Sequence, residues 1–352
     1  MDLIHAEEEV ARIVGAAERV DPTGGGTHRE VGGPPPDGAT VVRAPSGIVA
    51  YDAADLTVAV GAGTTVAELA DVLAGEGQEC ALDPRDPTAT VGGTIASGLS
   101  GPRRPRVGPL RDQVLEVRFA TADGRLVRGG GPTVKNVTGY DIPRLLVGSL
   151  GTIGVLTRVI LRCRPLPASV WWGASDDAPD AVRARCLRPA TVAWDGAVTL
   201  VRLEGHAADV EAEATEAGLE GAEPFSWPDG EHRGRTSVAP GCVVALGRAL
   251  AGIGGVRWLA EIGVGTVHVA TDSEAALEEA RVHAHAYGGW LLREAGAPGL
   301  DGFGVDMANQ AVMTRVKAAF DPTGKLAPGR LPFPTPPALV HGEFGRDEAR
   351  PS

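Results

Sequence analysis

The chain has 352 residues and a net charge of −12, a length that suits two domains and a charge that speaks against nucleic-acid binding. Hydrophobic residues make up 43% and charged residues 22%, the balance of a folded protein with a core, and no apolar run is long enough to span a bilayer. The 49 glycines and 27 prolines are spread through apolar segments, so they imply tight turns and close backbone approaches, not a disordered tract.

Residues 2–19 predict a first helix, with Leu3, Ile4, Val10, Ile13 and Val14 sharing a face. Its acidic, amphipathic character does not suit a secretory signal. The glycine loop DPTGGGTH (Asp21 to His28) follows, then a strand over 40–49 and another over 54–63. TTVAELADVLAGEG predicts a helix, with Thr65 and Glu68 in a capping-box spacing and Gly75 or Gly77 at its end. Residues 88–108 read as a long glycine-rich passage. DQVLEVRFATADGRLVRGG predicts a hairpin turning at Asp123-Gly124. Residues 134–165 supply a loop at 134–140, a short helix capped by Asp141, a glycine turn and a strand.

From about 166 to 305 the texture changes. Trp171, Trp172, Trp194, Trp227, Trp258 and Trp290 all fall here, and strands such as AVTLVRLEG and VGTVHVAT alternate with acidic helices. A second α+β domain is expected. Residues 306–332 give a helix and a turn-rich segment; 333–352 are a Pro-rich tail, expected to be flexible. Cys80, Cys163, Cys186 and Cys242 are widely spaced, with no C-x-x-C. They read as buried thiols in a reducing cytoplasm, and no metal site is expected.

Three weak motifs fall away. VGAGTTV (Val60 to Val66) has the strand-turn-helix context of a dinucleotide fingerprint, but Val66 stands where the third glycine belongs. TGKL (Thr323 to Leu326) lacks the earlier glycine and the hydroxyl residue of a phosphate loop. His283 and His285, two apart on a helix, point in different directions. The stronger signal is a set of glycine clusters at 24–27, 92–98 and 148–155. Bare backbone presents successive N–H groups to an anion, and two such loops on opposite sides suit a pyrophosphate.

PTGGGT, TVGGTIASGLSG, RVGPLRDQVLEVRFATADGRLV and VKNVTGYDIPRLLVGSLGTIGVLT, in that order, resemble the FAD-binding domain of the PCMH-type flavoproteins, the vanillyl-alcohol-oxidase superfamily. KNVTGYDIPRLLVGSLGTIGVLT and FDPTGKLAPGRL narrow the resemblance to the FAD-binding subunits of bacterial glycolate oxidases. It covers residues 1–165 well and 306–332 moderately. It implies an α+β fold: a PCMH-type FAD-binding domain of two α+β subdomains over 1–165, a smaller α+β cap over 166–305, and a C-terminal segment, 306–332, returning to the first domain.

The resemblance also implies roles. Gly24, Gly25, Gly26 and Thr27 would wrap the FAD pyrophosphate, and Gly92, Gly93, Thr94, Ala96, Ser97 and Gly98 would pass along its other side. Arg106, Gly108 and Asp112 would border the flavin end, with Lys135 and Tyr140 near the pocket. Ile153, Gly154 and Val155 would meet the adenine side, and Arg330 would approach the isoalloxazine. Thr23 stands where the family often has arginine, and Ala327 where it has asparagine. His28 follows Thr27 and not the glycines directly, so FAD is expected to be held without a covalent bond.

The H-x-G-D-G-N-x-H stretch of related catalytic subunits is missing. Oxidising a 2-hydroxy acid needs a base and a carboxylate-binding cation beside the flavin. The candidates are His268 as base and Arg257 or Arg106 as cation. The resemblance implies a cytoplasmic FAD-binding subunit of a complex that converts glycolate to glyoxylate. A second FAD-containing subunit and an iron–sulfur subunit would be its partners, through which it would be peripheral at the inner membrane face. Two alternatives stay open: a self-sufficient FAD oxidase or dehydrogenase of another hydroxy acid or alcohol, and a non-catalytic assembly or electron-relay subunit.

Overall fold

A computed structural model of the chain describes residues 3–35, 37–132, 140–304 and 309–332. Most of the expected 134–140 loop, including Lys135, and the tail 333–352 lie outside them.

The chain opens with α1 (Leu3–Ala16), β1 (Val20–Pro22), β2 (Thr40–Val42), β3 (Ile48–Asp52), β4 (Thr57–Gly61) and α2 (Val66–Ala74). The expected strand over 40–49 is two strands. Between β2 and β3 the chain passes against β4 so closely that a Cβ on Gly61 would meet Pro45 O at 2.4 Å. Pro45 also offers no N–H to a ladder. The capping box at the start of α2 forms as expected: Glu68 N–H donates to Thr65 Oγ1, and Thr65 N–H donates to the Glu68 carboxylate.

β5 (Gln78–Glu79), α3 (Val91–Ser97), α4 (Arg104–Val107), β6 (Val114–Ala120), β7 (Leu126–Gly130), α5 (Ile142–Leu146), β8 (Val155–Arg162) and β9 (Arg164–Pro165) follow. The glycine-rich passage 88–108 thus holds two short helices. Thr90 caps α3 by accepting from Gly93 N–H at 3.1 Å. A Cβ on Gly92 would lie 2.8 Å from Ala62 Cβ, so the glycine that weakens the local helix signal is what lets the helix pack there. The hairpin β6–β7 turns at Asp123-Gly124, and Asp141 caps α5. β3, β4, β8, β6 and β7 form a five-stranded antiparallel sheet in that order. Its core includes Phe119, Leu161, Leu69 and Ile95.

β10 (Ser169–Ser175), α6 (Pro179–Arg185), β11 (Thr191–Trp194), β12 (Thr199–Gly205), α7 (Ala207–Glu216), β13 (Glu220–Gly221), β14 (His232–Ser237), α8 (Val243–Leu250), β15 (Arg257–Glu261), β16 (Thr266–Thr271), α9 (Glu274–Ala286) and β17 (Trp290–Ala295) build a second unit. Its eight-stranded antiparallel sheet runs β13-β10-β12-β11-β15-β16-β14-β17. Strand periodicity divides its faces. Val201, Leu203, Trp258, Ala260, Val267, Val269 and Leu291 enter a core with the helices. The alternate residues Arg202, Glu204, Glu261, Arg235 and His268 take the opposite face, towards the first unit.

A buried ionic cluster joins the two units. Arg103 pairs with Asp83 at 2.6 Å, with Glu79 at 2.9 Å and with Glu204 of β12 at 3.3 Å. Arg164 binds Glu79 and Glu204 as well. Burial opposes the charge on Arg103, but the bonds to Asp83 and the charges of Glu79 and Glu204 more than offset it and raise its pKa. After β17, α10 (Gln310–Phe320) leads back to the first unit. Val20 N–H donates to Lys325 O, and Ala327 N–H donates to Val20 O. The buried Lys317 ammonium fastens this return by donating to Asp321, Thr152 O and Leu326 O.

Candidate functional site: a glycine-walled cleft opening on a charged cavity

Three adjoining cavities, of 310, 80 and 350 Å³, form one cleft. The first two share Thr23, Gly24, Gly25, Thr90, Gly93, Ala96 and Gly151; the second and third share Thr27 and His28.

The Gly24–Thr27 loop forms one wall because β1 ends at Pro22 and the chain turns at Gly26, whose φ is 82°. A Cβ on Gly24 would meet Thr90 Oγ1 at 2.1 Å, and one on Gly25 would meet Thr88 O at 2.7 Å. Among the described residues, the amides of Gly24, Gly25, Gly26 and Thr27 donate to no protein acceptor. Three guanidiniums surround the loop. Arg43 donates to Gly24 O, Arg29 pairs with the buried Asp21, and Arg330 donates to Val31 O. Arg330 lies buried along the second cavity, and its Nε has no partner. Burial lowers its pKa. Unspent amides, backbone too closely approached at Gly24 and Gly25 to carry a Cβ, and arginines around the loop fit the pyrophosphate of a dinucleotide.

The other wall differs from expectation. Gly92 and Gly93 are in α3, and their amides are spent on Ala62 O and on Thr90 Oγ1. They and Ala96 give a smooth surface, not a second row of donors. Thr94 is buried and turns its hydroxyl to Thr90 O, and Ser97 bonds Thr94 O while lining the second cavity. Gly98 ends α3 at a φ of 68°, against Gly148. Gly154 and Val155 line the first cavity, whereas Ile153 enters the hydrophobic core.

Several expected residues lie elsewhere. Arg106 donates to Arg188 O and Glu204 O, joining the two units. Asp112 pairs with Arg144 and Arg111, and Gly108 sits beside it; neither is in the cleft lining. Tyr140 is 91% exposed. Thr23 bonds Asp21 while lining both smaller cavities. Ala327 is buried at a φ of 42°.

The third cavity lies between the units. Residues 83–87 and 99–101 of the first face Trp227, Arg233, Arg235, His268 and Glu294 of the second. Arg235 is directly opposite His268 in the β14–β16 register, so both side chains project from the same face. His268 is buried, with Nε2 2.6 Å from Glu261 Oε1 and its ring edge-on to Trp227 at 4.7 Å. Glu294 lies 3.9 Å from Arg235. Arg85 reaches across to Pro228 O and Asp229, and burial lowers its pKa. His28 stands where the second cavity meets the third; its burial holds the imidazole pKa below the usual value. Arg257 is not in the lining: its guanidinium is spent on Asp229 O and Asp272.

The profile of a family described as FAD binding domain matches residues 3–130. This stretch is an FAD-binding domain. With it, the chain has a PCMH-type FAD-binding fold. Over 138 residues the chain is 43% identical to glycolate oxidase subunit GlcE of Escherichia coli, covering 38% of this chain and 39% of that one. Over 165 residues it is 37% identical to a D-lactate dehydrogenase of Archaeoglobus fulgidus, covering 46% and 37%. The matched stretches span less than half of each relative. Two solved structures of alkyldihydroxyacetonephosphate synthase superpose with TM-scores of 0.67 and 0.69 at 16% identity, over 92% of this chain and 75% of theirs. At that identity the likeness concerns the fold.

Sequence reasoning found the glycine loop of the FAD-binding domain but missed Arg29 and Arg43 beside it. It also missed Arg85, Arg233, Arg235, Glu261 and Glu294 in the second half of the site. Arg43 at the end of β2 carried a weak signal, as the first cation after the loop's partner strand. Arg29 stands in the loop's own sequence, next to His28; the rest carried none, because strand register and the meeting of two units bring them together.

Proposed function

We propose that this chain is an FAD-dependent oxidoreductase of small 2-hydroxy acids, acting as the FAD-binding subunit of a glycolate oxidase complex. Residues 1–165 with 306–332 form the cofactor domain in this reading, and 166–305 form the cap. The observation that carries it is the continuity of the cleft. Glycine-walled cavities suited to FAD run through His28 into a compartment lined by His268, which pairs with Glu261, and by Arg85, Arg233 and Arg235.

When bound, FAD supplies the two-electron acceptor. The chain's own residues supply the rest. Arg235 and Arg233 attract the substrate carboxylate. His268 takes the hydroxyl proton, and Glu261 holds the ring and stabilises the imidazolium. Trp227 and the 83–87 segment wall the cavity and limit water. The family resemblance and the name of the GlcE relative support partner subunits: a second FAD-containing subunit and an iron–sulfur subunit that takes the electrons. The complex works in the cytoplasm, reaching a membrane through its partners. Among the described residues no helix is long and apolar enough to cross a membrane. FAD is held without a covalent bond.

The His268–Glu261 pair within the cleft favours a second reading, in which the chain oxidises a hydroxy acid unaided. Anaerobic visible spectra of the purified chain, with glycolate or D-lactate added, separate the two. Bound flavin that bleaches in the chain alone supports the self-sufficient enzyme. Bound flavin that bleaches only with the partner subunits supports the complex. A chain that binds no FAD overturns both.

A further inference from the structure

Cys80 and Cys163 carry an inference independent of the flavin site. β5 and β9 pair antiparallel, with Gln78 opposite Pro165 and Glu79 opposite Arg164. One further step of that register sets Cys80 directly opposite Cys163, and their sulfurs lie 3.7 Å apart. Leu166 N–H donates to Gly77 O. Because hydrogen-bonded and non-bonded pairs alternate along an antiparallel ladder, the cysteines occupy a non-bonded position, with Cα atoms about 4.5 Å apart. A disulfide spans about 4.4–6.8 Å between Cα atoms, so the backbone is already within range. Cys80 is half-buried and Cys163 buried.

The position matters. Cys163 links β8, the middle strand of the first sheet, to β9, which leads into the second unit. The neighbours of the two cysteines, Glu79 and Arg164, belong to the ionic cluster that holds Glu204 of the second sheet. A cross-link here would fasten the connector between the units at its root.

We propose that Cys80 and Cys163 are a dithiol–disulfide modification site, closed by a small-molecule disulfide, that staples this connector. One of the two cysteines, as thiolate, attacks one sulfur of the oxidant and releases one thiol. The other, deprotonated in turn, attacks the first cysteine's sulfur and releases the second. The two cysteines lose two electrons and two protons, and the oxidant becomes two thiols.

The test uses the full chain, incubated with oxidised glutathione, digested without reduction and mapped by mass spectrometry. The expected product is one peptide pair joined through Cys80 and Cys163, reversed by dithiothreitol. Cys80→Ser and Cys163→Ser should each abolish it, while Cys186→Ser and Cys242→Ser leave it intact. Closure of so long a loop should raise the thermal midpoint by about 5 °C or more. Four free thiols, or glutathione retained on Cys80 as the only product, in a chain with a native circular dichroism spectrum would overturn the proposal. So would a cross-link that leaves the midpoint unchanged.

Discussion

Glu261 and His268 meet across adjacent strands: Glu261 Oε1 lies 2.6 Å from His268 Nε2. Leu259 is opposite His268 in the register, so Glu261, two residues on, reaches it diagonally from the same face. The pair sits away from the helix-covered core and beside the third cavity. If His268 is the base, His268→Ala should slow flavin reduction by about 10²–10⁴-fold with FAD still bound. Glu261→Gln should have a smaller effect in the same direction. Stopped-flow reduction by glycolate measures both; an undiminished rate in His268→Ala removes the base assignment.

Arg235 and Arg257 should part company. Arg235 lines the cavity beside His268, whereas Arg257 is held by Asp272 and Asp229 O outside it. Arg235→Ala should weaken glycolate binding roughly tenfold to a hundredfold, the worth of a charge-assisted hydrogen bond. Arg257→Ala should leave it near wild type. Titrating each variant's flavin absorbance with a non-oxidisable carboxylate gives the comparison, and equal losses would refute the placement.

Gly25 should accept no side chain. A Cβ would come 2.7 Å from Thr88 O, a backbone atom that cannot swing aside. Gly25→Val should weaken FAD binding by about tenfold or more, equal to ~1.4 kcal/mol. Fluorescence titration of the apoprotein reads this, and circular dichroism checks that the fold persists.

Arg103 should be costly to remove. Its guanidinium is buried and serves three carboxylates. Arg103→Ala removes the guanidinium that pairs with Asp83 and leaves Glu79 and Glu204 to Arg164, and breaking a buried pair costs about 3–5 kcal/mol. A lower denaturation midpoint and faster proteolysis near residues 164–169 are expected. A midpoint within a degree of wild type would show that the cluster does not hold the units together.

His28 gives the pH dependence a sign. Burial lowers its folded-state pKa below the usual 6.5. Between that lowered value and 6.5 the unfolded chain binds the proton and the folded chain does not, so stability rises with pH there. The contribution is complete above 6.5 and is lost as the pH falls through the folded value. Thermal midpoints measured across mildly acidic pH should fall less steeply in His28→Gln than in wild type.

The sequence by itself determined the local elements and the first half of the site. The α2 capping box, the Asp123-Gly124 hairpin, the Asp141 cap and the bare Gly24–Gly26 loop depend on neighbours a few residues apart, and those neighbours are visible in the chain. The α3 helix was hidden because its glycines are read locally as turn formers, while their packing against Ala62 and Gly148 is a long-range fact. The second half of the site was decided only by tertiary structure. His268 was legible as a candidate, but Glu261, Arg235 and Glu294 join it through strand register, and Arg85 joins across the gap between the units. For the same reason Arg257 and Arg106, plausible cations in the sequence, are spent elsewhere. Short-range hydrogen bonding leaves a mark on composition and spacing; register and the meeting of two surfaces leave almost none.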